Sequence, residues 1–151
     1  MTVIDKFWQD FLSQANLPNH TKYFEASHFD ITKESANNLL QLVLAGQKRA
    51  TASSLPAYQR EGVTPPKVGD YSIITDWDGV PHCVIQTTAV TILPFNQFTF
   101  DIIKREGEDD CLETWQENHE HVFRIEGQEL GYEFAEDMPV IFEDFEVVYK
   151  K

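Results

Sequence analysis

A β-hairpin in the middle of the chain constrains the fold more than any other feature. Residues 71–75 and 82–93 are rich in apolar and β-branched side chains, and the Asp-Trp-Asp-Gly segment at 76–79 between them has the composition of a tight turn. Pro94 ends the second run, because proline cannot donate to a strand ladder. A hairpin fixes antiparallel pairing between these two strands.

The rest of the pattern is a mixture of helices and single strands. Apolar residues at three- and four-residue spacing predict helices at 2–15, 32–44, 95–105 and 110–123, and short apolar runs predict strands at 23–29 and 140–149. Glu143, Asp144 and Glu146 predict that the last strand has a solvated face or lies at an edge of the sheet. Because no strand-helix-strand unit repeats, the order predicts an α+β fold with a small, curved, barrel-like sheet.

Charge limits the ligands that the chain can bind. The formal net charge is −13, and residues 101–151 carry 16 acidic against 5 basic side chains, whereas residues 1–100 carry 9 against 7. Non-specific binding of nucleic acid depends on Lys and Arg that neutralise phosphates. We therefore expect no DNA partner, and any nucleic-acid ligand has to be short or bound at a locally basic cleft.

Cysteine usage and the N-terminus predict a cytoplasmic location. Cys83 and Cys111 form no Cys-x-x-Cys pair, and we expect both to be reduced. The first residues lack the basic start and apolar run of a signal peptide, and no uncharged segment is long enough to span a membrane. We therefore expect no membrane partner.

Several reaction classes leave sequence signatures that this chain does not have. It contains no phosphate-binding loop, no dinucleotide fingerprint, no G-x-S-x-G elbow and no zinc-deaminase pair of motifs. His119 and His121 are two residues apart on a predicted helix, so they point to different sides and predict a solvated pair rather than a metal site. We expect no metal and no cofactor.

Lys48 and Thr51 are the first pair of candidate catalytic residues. A lysine becomes a general base when burial lowers its pKa, and a threonine hydroxyl becomes a nucleophile when such a base takes its proton. Residues three apart face opposite sides of a regular strand, so a shared pocket predicts a bulged or turning backbone at Arg49 and Ala50. The alternative is that Lys48 and Arg49 are solvated charges at the C-terminal end of a helix.

The acidic run at 104–110 is the second candidate. Glu106 and Glu108 flank the flexible Gly107 and could both reach into a cleft. The alternative is purely structural: the run ends one helix, and Asp109 or Asp110 caps the next.

The spacing Gly46-x-Lys48-x-x-Thr51 at a predicted helix end resembles the signature of the ASCH domain, a small β-barrel related to the PUA RNA-binding domains. The chain looks like a longer, uncharacterised bacterial subgroup of that family. Further segments carry the resemblance: 48–54, 67–70, 84–88, 106–110 with Leu112 and Trp115, His119, and 142–149. It implies a PUA-like β-barrel of about five to six strands flanked by helices, formed by one ASCH domain over 1–151. Residues 1–20 would be an extra N-terminal helix packed on it.

The resemblance also implies an activity. Similar, smaller ASCH proteins hydrolyse the amide of N4-acylated cytosine nucleosides, chiefly N4-acetylcytidine, with a Lys, Thr and Glu triad that corresponds here to Lys48, Thr51 and Glu108. The ligand would be a small modified nucleoside or a short RNA. The residues expected to bind it are Arg49, Ser53, Ser54, Arg105 and Glu106.

Two other functions remain open at this stage. One is an RNA-binding or RNA-cleaving module that uses Lys48, Arg49, Lys104 and Arg105 as a phosphate site. The other is a nucleotide sensor that has kept the pocket and lost catalysis. The chain differs from the smaller enzymes in its extra N-terminal helix and in Ala52-Ser53-Ser54, where those enzymes place a bulky residue and an arginine.

Overall fold

The computed structural model describes residues 1–151 and has a curled, mixed five-stranded sheet at its centre. The strands lie in the order β1-β3-β4-β5-β2; β1 runs parallel to β3, and every other pair is antiparallel. The α+β fold and its curved sheet of about five strands are as predicted. The strands are β1 (Glu25–Ser27), β2 (Ala50–Ser54), β3 (Tyr71–Thr75), β4 (Pro81–Pro94) and β5 (Pro139–Lys150).

The predicted hairpin is the pair β3 and β4. Ile73 lies opposite Val84, and the intervening turn is closed by the Asp76 amide, which donates to the Val80 carbonyl at 3.0 Å. Gly79 supplies the left-handed conformation (φ 87°) that the turn requires. The hairpin therefore forms where the sequence indicates it.

Five helices cover the sheet: α1 (Val3–Ala15), α2 (Lys33–Leu44), α3 (Leu55–Glu61), α4 (Phe100–Ile103) and α5 (Leu112–Leu130). The helix at 55–61 was not predicted, and α5 continues to Leu130 beyond the predicted end at 123. α1 begins with the Thr2 and Asp5 capping box, so its predicted start is confirmed.

The hydrophobic side chains form separate clusters on the sheet. α1 buries Phe7, Phe11 and Leu12 against Ile73 of β3 and Val84 of β4. Another cluster joins α5 to β5 and to the segment that follows β4; it contains Phe95, Phe98, Trp115, Phe123 and Phe142. This second cluster fixes the position of α5 beside β2, where the candidate site lies.

None of the helices combines the length and the apolar character that crossing a membrane requires. Cys83, which is buried, and Cys111 are both free thiols.

Candidate active site

A cavity of about 110 Å³ lies where the segment before β2, the segment before α5 and α5 itself come together. Lys48, Thr51 and Glu108, the three residues predicted to be catalytic, all line it. Glu106 and His119 are among its other polar residues, and Phe123 is one of its apolar residues. The cavity thus brings together residues about 60 positions apart in the chain.

The Lys48 ammonium group is held by three oxygen atoms. Its Nζ donates to Glu108 Oε2 at 2.5 Å, to the Ala50 carbonyl at 2.7 Å and to Glu106 Oε2 at 3.2 Å. Lys48 is only 1% exposed, so its charge is compensated by these partners rather than by water. All three donor positions of the ammonium are used.

The backbone reaches this arrangement without a bulge in β2. β2 is regular from its first residue, and its pairing with β5 runs without a shift from Ala50 opposite Asp144 to Ser54 opposite Val140. The bulged or turning backbone predicted at Arg49 and Ala50 is present only at Arg49, which precedes the strand, whereas Ala50 already belongs to the regular strand. Lys48 lies in the loop before the strand, where its amide donates to the Leu42 carbonyl at 3.1 Å, so the strand alternation rule does not apply to it.

Glu106 is the most enclosed carboxylate of the site, with 2% exposure. Besides Lys48, it accepts a hydrogen bond from Trp115 Nε1 at 2.8 Å, and His119 Nε2 lies 3.3 Å from the same carboxylate oxygen. Burial on its own would raise the pKa of Glu106, but the charges of Lys48 and His119 outweigh burial and hold that pKa well below its ordinary value. Glu106 is therefore a permanent anion.

His119 is not the solvated residue that its spacing from His121 predicted. Its ring stacks on Trp115, Nδ1 lies 2.9 Å from the Trp115 carbonyl, and Nε2 faces the Glu106 carboxylate. Because both ring nitrogens face acceptors, both are donors, which is the protonated form of imidazole. Burial opposes this form, but Glu106 outweighs burial and raises the pKa of His119.

Glu108 is electrostatically different from Glu106. Its side chain is 21% exposed. Burial and the neighbouring charge of Glu106 raise the pKa of Glu108 to about 7, although Lys48 opposes them. Glu108 is therefore the carboxyl group of the site that gains and loses a proton near neutral pH.

The charge state of Lys48 also differs from the expectation. Burial on its own would lower the pKa of Lys48, as predicted for a neutral general base, but Glu106 and Glu108 outweigh burial and raise it. The resting lysine is therefore an ammonium. The Lys48 ammonium occupies the space between the Glu106 and Glu108 carboxylates, where a shared metal ion would otherwise bind. The protein has no group of three His, Cys, Asp or Glu side chains arranged to hold a metal.

The residues predicted to bind the ligand differ in whether they line this cavity. Glu106 lines the cavity, whereas Arg49 is exposed and does not line it. Arg105 is engaged by Asp144 through two hydrogen bonds of 2.7 and 3.2 Å. Ser54 is fully buried: it caps α3 and donates to Glu126 at 2.7 Å.

A second cavity, of about 340 Å³, adjoins the first. Thr51, Phe29 and Asp30 line both cavities, and Ser53 faces the larger one. Glu143 also lines it with 6% exposure and accepts a hydrogen bond from the Thr87 hydroxyl, so the prediction of a solvated Glu143 was wrong.

The curled five-stranded sheet with its five helices is a PUA-like fold, and the buried cluster of Lys48, Glu106 and Glu108 lies beside its edge strand β2. The sequence model of the ASCH domain family matches residues 25–149, and the chain belongs to this family.

Two solved structures share the fold over nearly the whole chain. An ASCH domain from Lactobacillus crispatus JV V101 is 37% identical with a TM-score of 0.86, over 99% of this chain and 96% of that one. A protein from Enterococcus faecalis V583 is 35% identical with a TM-score of 0.88, over 97% of this chain and 88% of that one. A search of curated proteins gave no match.

Proposed function

We propose that this protein is a metal-independent amidohydrolase that removes the acyl group from a small modified nucleoside such as N4-acetylcytidine. Thr51 would be the nucleophile, and Lys48 and Glu108 would move its proton. One observation carries the proposal: the Thr51 hydroxyl forms no hydrogen bond within the protein, yet it lines the same cavity as the 2.5 Å pair of Lys48 and Glu108. A free hydroxyl that shares a cavity with a proton-transferring pair is what nucleophilic catalysis requires.

The charges of the site support a proton relay rather than a neutral lysine base. When Glu108 is ionised, it can take a proton from the Lys48 ammonium as Lys48 takes the proton of Thr51. Lys48 is then again an ammonium and Glu108 a neutral acid. The attack of the Thr51 oxygen on the amide carbon breaks the C–N bond and gives an acyl-threonine.

The relay also supplies the proton that the leaving group needs. Glu108 passes its proton to the departing N4 nitrogen, which leaves as the free amine of the cytosine base. Water then attacks the acyl-threonine and gives one proton to Glu108. As the C–O bond to Thr51 breaks, this proton returns through Lys48 to the Thr51 oxygen, so the carboxylic acid leaves and both the Thr51 hydroxyl and the ionised Glu108 are restored. Once Glu108 is protonated, the N–H that Lys48 had donated to Glu108 is released and can stabilise the charge that develops on the carbonyl oxygen.

The geometry gives less support to a phosphate-binding RNA site. Of the four cationic residues that such a site would use, Lys48 is buried between two carboxylates and Arg105 is paired with Asp144. Lys104 is exposed and lies 3.5 Å from Asp101. Arg49 is exposed and is the one residue of the four that is not paired with a carboxylate. A single unpaired cation offers little attraction to a polyanion.

The test is release of acetate and cytidine from N4-acetylcytidine, measured by chromatography. We expect turnover by the wild type, a loss of at least about 100-fold in kcat/KM for Thr51→Val and for Glu108→Gln, and little change for the matched control Arg49→Gln. Tight binding of nucleosides without turnover would instead identify a sensor. Salt-sensitive binding or cleavage of RNA without amide hydrolysis would identify an RNA module.

A further inference from the structure

The larger cavity contains polar groups that the proposed reaction does not use. Ser72 lies on β3, is 4% exposed and forms no side-chain hydrogen bond, although it lines the cavity. Every side-chain nitrogen or oxygen atom that is fully buried in this protein has a hydrogen-bond partner. Because the Ser72 hydroxyl has none, its oxygen is not fully buried and is accessible from the cavity that Ser72 lines. A buried hydroxyl kept without a partner is costly unless a ligand or water completes it.

One of the two carboxylate oxygens of Glu143 also has no hydrogen-bond partner within the protein. Oε2 accepts the hydrogen bond of the Thr87 hydroxyl, whereas Oε1 has no partner within the protein. By the same reasoning Oε1 faces the cavity that Glu143 lines. Glu143 lies directly opposite Thr51 in the β2–β5 register, so this free acceptor is beside the proposed nucleophile.

The charges around this cavity are all of one sign. Five carboxylates line it, those of Glu25, Asp30, Glu61, Glu126 and Glu143, and no lysine or arginine does. Its volume of about 340 Å³ lies within the range of about 300–1,000 Å³ that small-molecule pockets have. It is suited to a group that donates hydrogen bonds and carries no negative charge.

We infer that this cavity binds the sugar of an unphosphorylated nucleoside, with Glu143 and Ser72 bonded to the sugar hydroxyls, and that it rejects the 5′-phosphorylated form. The inference rests on the proposed function, because it places the base in the smaller cavity beside Thr51. Carboxylates commonly bind vicinal hydroxyls of ribose in this way. A phosphate group would meet five carboxylates and no lysine or arginine, so the nucleotide is disfavoured.

The test is calorimetric binding of cytidine, cytosine and cytidine 5′-monophosphate to the full chain, since none of these ligands has an amide to hydrolyse. We expect cytidine to bind at least about tenfold more tightly than either cytosine or the monophosphate. Glu143→Gln and Ser72→Ala should each reduce the preference for cytidine over cytosine. The matched control is Glu146→Gln, which removes the same charge from an exposed position on β5.

The outcomes separate this inference from the proposed function. If cytosine or the monophosphate binds as tightly as cytidine, or if none of the three binds, the inference fails whether or not N4-acetylcytidine is hydrolysed. If cytidine is preferred and the preference depends on Glu143, the inference stands even when no acyl group is released. A change caused equally by Glu146→Gln would also overturn it, because the effect would then be one of overall charge.

Discussion

The Gln47 side chain donates a hydrogen bond of 2.8 Å to the carbonyl of Gly107, 60 residues further along the chain. The two backbones are so close that a Cβ atom on Gly107 would lie 2.3 Å from the Gln47 carbonyl oxygen. This contact joins the segment that carries Lys48 to the segment that carries Glu106 and Glu108. Only glycine fits there, both because of the contact and because its φ is 72°.

Gly107→Ala should therefore destabilise the protein by about 2–4 kcal/mol, from backbone strain plus the collision with Gln47. The measurement is urea unfolding followed by circular dichroism. Gly79→Ala is the matched control, because φ is 87° there and no atom lies within 4 Å of the added methyl. It should cost only about 1–2 kcal/mol. Equal losses in the two variants would show that the close approach is unimportant.

Glu106→Gln should reduce the free energy of unfolding by about 3–5 kcal/mol, because it leaves buried cations with less compensation. Lys48 and His119 both depend on this carboxylate. The control is Glu120→Gln, which removes an exposed partner of Arg124 and should cost less than about 1 kcal/mol. The urea midpoints of the two variants measure this difference. A loss of stability in Glu106→Gln that is no larger than that in Glu120→Gln would contradict the buried network.

The stability contribution of Glu108 should fall as pH rises. Its pKa is about 7 in the folded protein and 4.5 is its ordinary value, so between these values the folded state binds more protons than the unfolded state. Relative to Glu108→Gln, the wild type should therefore lose about 1–3 kcal/mol of stability between pH 4.5 and pH 7.5. Urea unfolding of both proteins across this pH range measures the difference between their free energies of unfolding. A difference that does not change with pH would contradict the prediction.

The proposed relay needs Glu108 in its ionised form, so kcat/KM for N4-acetylcytidine should rise with pH and level off above about pH 7. Glu106→Gln removes the charge that helps to raise the pKa of Glu108, so the midpoint of the profile should move to lower pH in this variant. An unchanged midpoint in active Glu106→Gln would mean that another group controls the profile.

Ser54 was predicted to bind the ligand, but its contacts indicate a structural role. Ser54→Ala should lower stability by about 1–2 kcal/mol through loss of the α3 cap and leave KM unchanged. Ser53→Ala, the neighbouring control, faces the larger cavity and should show the opposite pattern. Thermal unfolding and steady-state kinetics of the two variants test this directly, and a raised KM in Ser54→Ala would restore the original interpretation.

Local signals were sufficient for most of the fold. The cap of α1 and the turn of the β3–β4 hairpin depend on neighbouring residues, and both form as predicted. The helix α3 was missed although Ser54 and Pro56 give a normal helix start, because the serine was assigned to a ligand instead. The predicted end of α5 at residue 123 is too early, since the helix continues to Leu130 and Gly131 terminates it.

The site was predictable in its members and not in its charges. The resemblance placed Lys48, Thr51 and Glu108 together, and one cavity does contain all three. Trp115 and His119 were visible as an i, i+4 pair on one helix face, but their bonds to Glu106 depend on how α5 packs. The charge of Lys48 follows from two carboxylates that are about 60 residues away, and no local pattern contains that information.

The order of the sheet has a consequence for how a ligand reaches the site. β1 and β2, which border the cavities, are the two edge strands, and each is hydrogen-bonded to a single neighbour. They contain three and five residues, against fourteen in β4 and twelve in β5. Local opening of these two strands costs less free energy than opening the centre of the sheet. Amide protons of β1 and β2 should exchange before those of β4, and a ligand can enter without disturbing the core.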